Sequence, residues 1–391
     1  MAPVIREFES RKEEADTVVC VAGRHGEMLD QVLDFFDIVP DIRVDLTAES
    51  RSLAGFTAEA LTELDRVVES TGPEAILVEG DAAGAMVGAL AGFYHQVPVG
   101  HIEARAGRGD TYLASPEQVN RRIIGTIAEW HFVPTKHARA ALLKEGVAER
   151  SVYVTGNTAI DALLMAKKQL SDCQERDFSG SDRRIILVIA DRRESLGEPL
   201  TEICRALAQV VGRNPDVEAM LPMDPSPRVR VAVNRVFRGK ERVRLYDPLR
   251  YGELLSALVQ SHLILTDSGS IEEEASAPGK PVLVVREKTE RVEAVEAGVA
   301  KLAGTDVDKI AQEGNASVMG GKARSSIVGR HGQDARATPR DDEALLPFLS
   351  APLSRPGGVS SPFSSSSPRL CAFALHPSSL LPSRTCLHAR E

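Results

Sequence analysis

The sequence predicts an α/β protein of two Rossmann-like domains with a central cleft, and three observations carry that expectation. From Thr17 onward, short β-branched runs alternate with amphipathic helical periods. The alternation lapses over a polar stretch near 168–182 and resumes at Arg184. Several apolar strands break directly into charged or glycine-rich loops, as strands do when their carboxyl ends face a ligand crevice. A chain of 391 residues has room for two ordinary domains and an appendage.

Taken in order, "TVVCVAG" reads as a strand and "GEMLDQVLDFF" as a helix. "SLAGFTAEALTELDRVVES" is a longer helix stopped by Gly72 and Pro73, and "AILVEGD" is the next strand. "AAGAMVGALAGFYHQ" is a small-residue helix and "VPVGHIEA" a strand. "SPEQVNRRIIGTIAEW" opens a helix with Ser115 and Gln118 as a capping box and Pro116 in its first turn. The second set runs through "RIILVIAD", "LTEICRALAQVV", "VEAMLPM", "VRLYDP", "YGELLSALVQS", "HLILTDSG", "SIEEEASA" and "PVLVVRE". The expected domains are therefore 1–167 and 168–328.

Two features depart from this regularity. The chain opens with "MAPVIREFESRKEE", a helical pattern with no strand before it, whereas a doubly wound sheet begins with a central strand. One strand is thus expected to be missing, leaving two unpaired edges. From Gly329 to Glu391 the chain turns Ser/Pro-rich, as in "LSAPLSRPGGVSSPFSSSSPRL", and is expected to be a disordered, low-complexity tail. Together they read as a truncated or misassigned frame.

Composition narrows the function. Hydrophobic residues make up 43% and charged residues 26%, with a net charge of -9. That balance gives no electrostatic reason to bind nucleic acid, so an anionic ligand needs a local site. No apolar run reaches the roughly 18 to 20 residues that span a bilayer, so no membrane insertion is expected. The five cysteines lack metal-ligand spacing, which predicts no metal and a reducing, cytoplasmic setting. Neither a P-loop nor a dinucleotide glycine fingerprint is present.

Acids collect at strand ends: Asp81 after "ILVEG", Glu103 after "VGHI", Asp191 after "LVIA" and Asp267 after "LILT". Singly, Asp81 and Asp267 read as helix N-caps. Four acids at corresponding ends instead point to a shared crevice. Ser268, Gly269 and Ser270 stand at a helix entrance, where free N–H groups and the helix dipole favour a phosphate. Glu272, Glu273 and Glu274 follow, ordinarily a solvated first turn, although one of them is placed to meet sugar hydroxyls. Arg105, Arg108, Arg192, Arg193 and Arg291 are the cations within reach, each equally readable as an ion-pair partner of a nearby acid. His101 reads as a structural hydrogen bonder.

The stretches "GHIEARAGRGD", "SPEQVNRRIIGTIAEWHFVPTKHAR", "VYVTGNTAIDALL", "DRRESLGEPLTEICRAL" and "LILTDSGSIEEEASAPGKPVLVVREKTERVEAVEAG" occur in an order that resembles the non-hydrolysing UDP-N-acetylglucosamine 2-epimerases. The resemblance runs to about Val328, where "GGKARSSIV" is similar to that family's closing helix. It implies a fold of the glycosyltransferase-B type and a homodimer without cofactor. It also implies interconversion of UDP-N-acetylglucosamine and UDP-N-acetylmannosamine for cell-envelope polysaccharides, by elimination and readdition of UDP. Asp81, Glu103 and Glu117 match the family's catalytic acids. Arg192, Ser268, Gly269, Glu274 and Arg291 match its UDP-binding set, with Ser268 and Gly269 on the diphosphate and Glu274 on the ribose. Asp191 and Asp224 stand where the family has His, the first of them a catalytic position, and Gly107 where it has Arg. The family's first strand and its Gly-Thr-Arg-Pro-Glu loop have no counterpart. These departures imply a second expectation, a sugar-nucleotide binder that retains the fold without the chemistry.

Overall fold

The computed structural model describes residues 1–23, 27–46, 52–106, 116–172, 178, 182–190, 198–223, 227–276, 278–287, 289, 291–296, 298–319 and 369–375. They form two compact units. One comprises Met1–Thr158 and Ala337–Glu391, the other Ala159–Arg336. Helix α7 (Thr158–Asp172) begins at this division, and the one expected at 167/168 falls on the same helix.

After α1 (Ala2–Ser10), the first unit lays down β1 (Asp16–Gly23), α2 (Glu27–Phe35), β2 (Ile42–Asp45), α3 (Leu53–Thr71), β3 (Ala75–Glu79), α4 (Ala83–Tyr94), β4 (Val99–Ile102), α5 (Pro116–Ile127), β5 (Trp130–Val133), α6 (Lys136–Lys144) and β6 (Val152–Val154). β2, β5 and β6 escape a sequence reading because "IRVD", "WHFV" and "VYV" mix polar or ring residues with few aliphatic ones and stand out little from their flanks. α3 starts on a Ser52 side chain that accepts from the Gly55 N–H at 3.0 Å, and ends on Gly72 in the left-handed region. α4 lies close to the sheet because it is built from small residues. A Cβ at Gly92 would sit 2.9 Å from Val99 Cγ2 and 3.1 Å from Ile76 Cδ1.

The second unit continues with β7 (Arg184–Ile189), α8 (Glu198–Arg213), β8 (Val217–Pro222), α9 (Pro227–Phe237), β9 (Val243–Tyr246), α10 (Tyr251–Gln260), β10 (Leu263–Thr266), α11 (Gly269–Ser276), β11 (Val282–Val284), α12 (Val292–Glu296), β12 (Ala300–Leu302) and α13 (Val307–Met319). Its six parallel strands take the order β12-β11-β10-β7-β8-β9. The order reverses between β7 and β10, so the carboxyl ends of those two strands flank the crevice of this sheet. The expectation of a patternless linker from Lys168 fails over its first residues, since α7 runs on to Asp172.

A thirteenth strand, β13 (Arg369–Leu375), lies in the segment expected to be a disordered tail. That expectation does not hold for these seven residues. The first unit's sheet has the order β2-β1-β13-β3-β4-β5-β6, all parallel, so the last strand of the chain takes the central place between β1 and β3. The unpaired edges anticipated for those two strands do not arise. The run "RLCAFAL" is hidden in the sequence by its Ser/Pro-rich flanks, and only the two neighbouring strands give it something to pair with.

Each sheet is covered on both faces, as parallel sheets are. In the first unit Cys20, Ile76, Val78 and Cys371 share one core with Phe56, Leu64 and Val87. Ala75, Leu77, Ile102 and Leu370 share another with Phe8, Trp130 and Phe132. Among the described residues no helix is long and apolar enough to cross a membrane.

Candidate active site

In the first unit, the carboxyl ends of neighbouring strands β3 and β4 bring Asp81 and Glu103 to one edge of the sheet. Asp81 follows Gly80, whose φ of 72° gives the chain the sharp turn it needs after β3. The turn is fastened twice. The Gly80 N–H donates to the Ile102 carbonyl at 3.0 Å, and His101 Nε2 donates to the Gly80 carbonyl at 2.7 Å. His101 is fully buried, and burial drives its pKa down to about 4, so it stays neutral and structural as the sequence suggests.

Asp81 is then gripped from α5. Arg121 Nε and Nη2 lie 2.7 Å and 2.5 Å from Asp81 Oδ2, and Asn120 Nδ2 donates to the Asp81 carbonyl at 2.9 Å. Glu117 is exposed in the first turn of α5, one helical turn before Arg121 and on the same side of the helix. Asp81 and the helix that carries Glu117 therefore meet through Arg121, a residue that sequence reasoning passed over. Its one visible signal was the i, i+4 spacing from Glu117.

Glu103 has φ of 56°, rare for a residue with a side chain and an arrangement that costs about 1 to 3 kcal/mol. Its Oε1 accepts from the Thr158 hydroxyl at 2.5 Å, and Glu79 Oε1 lies 3.2 Å from the same hydroxyl. Thr158 is the first residue of α7. Thr158 also went unread in the sequence.

In the second unit, β10 ends at Thr266, and its hydroxyl accepts the Ser268 N–H at 3.0 Å. Ser268 Oγ lies 3.1 Å from Ser270 Oγ at the entrance of α11. Arg291 is laid against this entrance. A Cβ at Gly269 would come 3.2 Å from its Cζ and 3.4 Å from both Nη atoms, so a side chain there would press on the guanidinium. Arg291 Nε donates to Glu273 Oε1 at 2.8 Å, and its backbone N–H donates to Thr289 Oγ1 at 3.0 Å. Thr289 in turn donates to Glu272 Oε2 at 2.8 Å. The solvated first turn expected for these acids does not hold for Glu272, which is 1% exposed and whose carboxyl burial pushes up. Glu274 is half-buried one helical turn beyond Ser270. Ser268, Gly269 and Arg291 are thus brought together at one helix entrance. Asp191, Arg192, Asp224 and Gly107 lie outside the described residues.

Two doubly wound parallel sheets, with carboxylates at the strand ends of one and a serine, glycine and arginine helix entrance in the other, define an α/β protein of the glycosyltransferase-B type. Comparison with known proteins gives the family. A family model described as UDP-N-acetylglucosamine 2-epimerase matches residues 7–331, and the chain belongs to that family. The UDP-N-acetylglucosamine 2-epimerase of Bacillus subtilis is 44% identical over 312 residues, spanning 80% of this chain and 82% of that protein. That of Escherichia coli K12 is 40% identical over 321 residues, spanning 80% and 85%. The crystal structure of the Neisseria meningitidis enzyme bound to UDP-GlcNAc superposes with a TM-score of 0.76 at 34% identity, covering 86% of this chain and 90% of that one.

Proposed function

We propose that this chain interconverts UDP-N-acetylglucosamine and UDP-N-acetylmannosamine through UDP and 2-acetamidoglucal. A base takes the proton from carbon 2. The bond from carbon 1 to the diphosphate oxygen breaks, and its electron pair leaves with UDP. Readdition of UDP, with a proton delivered to the other face of carbon 2, gives the epimer. The observation that carries the reading is the pair of carboxylates at adjacent strand ends, Asp81 locked by Arg121 and Glu103 held in a strained backbone conformation.

With its carboxylate already engaged by a guanidinium, Asp81 serves to orient the sugar, and Glu103 and Glu117 exchange the proton at carbon 2. Ser268, Gly269 and Arg291 receive the diphosphate at the entrance of α11, and Glu274 takes the ribose. Arg192, which follows β7 in the sequence, is assigned to the diphosphate, and its neighbour Asp191 to a catalytic position. The enzyme works as a homodimer, for which the exposed Phe93 and Tyr94 at the end of α4 offer apolar contact. The buried free thiols of Cys20, Cys204 and Cys371 suit a reducing cytoplasm.

Proton NMR of UDP-N-acetylglucosamine with the purified chain in deuterated water tests the reaction. Loss of the carbon-2 signal together with growth of the manno isomer is expected. A folded, UDP-binding sample with no exchange over hours would reduce the chain to a binder, and sedimentation of the same sample reads the dimer.

A further inference from the structure

We propose that the slot between β1 and β3 is a strand-binding groove, that its occupant is this chain's own Arg369–Leu375, and that the sheet rather than the covalent connection holds it there. The inference concerns assembly of the first unit and stands whether or not the proposed reaction is correct.

The groove reads its occupant on both edges, both faces and one end. On one edge β13 pairs with β1 from Asp16↔Arg369 to Ala22↔Leu375, and on the other with β3 from Ala75↔Leu370 to Val78↔Phe373. Without it, two rows of backbone donors and acceptors in the centre of the sheet would lose their partners. Leu370, at 2% exposure, enters the core containing Phe8 and Trp130, and Cys371, at 0%, enters the opposite core beside Cys20. A slip of one residue would exchange the two faces, so register is specified. The amino end is pinned as well. Arg369 Nε donates to Asp16 Oδ2 at 3.0 Å, its carbonyl accepts the Glu74 N–H at 2.7 Å, and Nη1 reaches the Thr71 carbonyl at 3.4 Å.

These contacts are all made by the strand itself, none by the chain that leads to it. Residues 320–368 separate β13 from α13 in the sequence. The family match ends at residue 331, so this strand is recognised by pattern and fit alone. Its place is also the switch point of the sheet, where the strand order reverses. Leu375 ends level with Ala22, and Phe373 with Val78, so β13 finishes at the edge that bears Asp81 and Glu103.

The test keeps the whole chain. A specific protease site is placed within residues 320–368, the folded protein is cut, and the products are passed over a sizing column. The proposal expects the released segment to co-elute with the body until denaturant is added. It also expects Cys371 to react with a thiol reagent more than about a hundredfold slower than glutathione does, before and after the cut. A labelled synthetic peptide of residues 367–377 in excess should replace the severed strand over time, and the same peptide with Leu370→Arg should fail to. Separation of the segment on cutting would overturn the proposal, whether the body then stays folded or precipitates. Rapid labelling of Cys371 in the uncut, folded chain would overturn it too. Mixed dimers formed through strand exchange between uncut copies would put a second copy's strand in the groove and overturn the assignment to the same chain.

Discussion

At the scale of single residues, the placement of charge at the end of β3 is the feature with most to test. Arg121 points at Asp81 from a helix that also carries Glu117, so it positions one acid while its helix delivers another. Arg121→Gln is expected to lower kcat by about tenfold or more while the affinity for UDP, whose proposed contacts are Ser268, Gly269 and Arg291, stays within about twofold. Arg121→Lys should recover part of the loss, and a fall in UDP affinity equal to the fall in kcat would refute a positioning role. His101 makes a second prediction. Its folded pKa is about 4, below the unfolded value of about 6.5. The unfolded chain therefore binds a proton that the folded chain refuses, and His101 imposes a loss of stability as pH falls through that window, with none above it. His101→Asn should flatten the pH dependence of denaturant midpoints between about pH 6.5 and 4. An unchanged slope would mean that His101 is not the group refusing the proton.

At the scale of elements, close approach explains why certain helices are rich in small residues. α4 presents Gly92 to Val99 and Ile76 with no space for a methyl group, so Gly92→Ala should cost about 1 to 3 kcal/mol despite the gain in helix propensity. A thermal melt equal to or above that of the parent would show that α4 shifts freely. The entrance of α11 works in the same way with a different purpose. Gly269 lets the Arg291 guanidinium lie against the backbone, and Gly269→Val should displace it and weaken UDP binding by about tenfold, with little change in the melt. Isothermal titration with UDP reads the difference. The elements also show what a sequence makes legible. α3 was evident from its period and its Gly72 stop, α4 from its run of small residues, and β7 and β10 from unbroken apolar runs. β2 and β5 were missed because neither "IRVD" nor "WHFV" is an unbroken apolar run like "LILT", the equally short β10.

At the scale of the whole molecule, the chain divides into two units with separate sheets and separate cores, and the proposed UDP contacts at the entrance of α11 fall in the second. UDP should therefore raise the unfolding temperature of the second unit in proportion to ligand excess, by RT ln(1 + [L]/Kd) in free energy. A calorimetric scan that moved only the first unit's transition would place the nucleotide site elsewhere. By itself the sequence determined the class, two doubly wound parallel sheets, because hydrophobic period and strand-end polarity are local properties. It also put Asp81 and Glu103 at strand ends and Ser268 and Gly269 at a helix entrance, positions that the local pattern marks. Only the tertiary structure decided that Arg121 meets Asp81, that Thr158 meets Glu103, and that Glu272 is buried, because those contacts join residues far apart in the chain or on different elements. It alone decided the fate of "RLCAFAL". Seven residues carry no strand signal strong enough to survive Ser/Pro-rich flanks, but between two strands with open edges they complete both hydrogen-bond ladders and both cores at once.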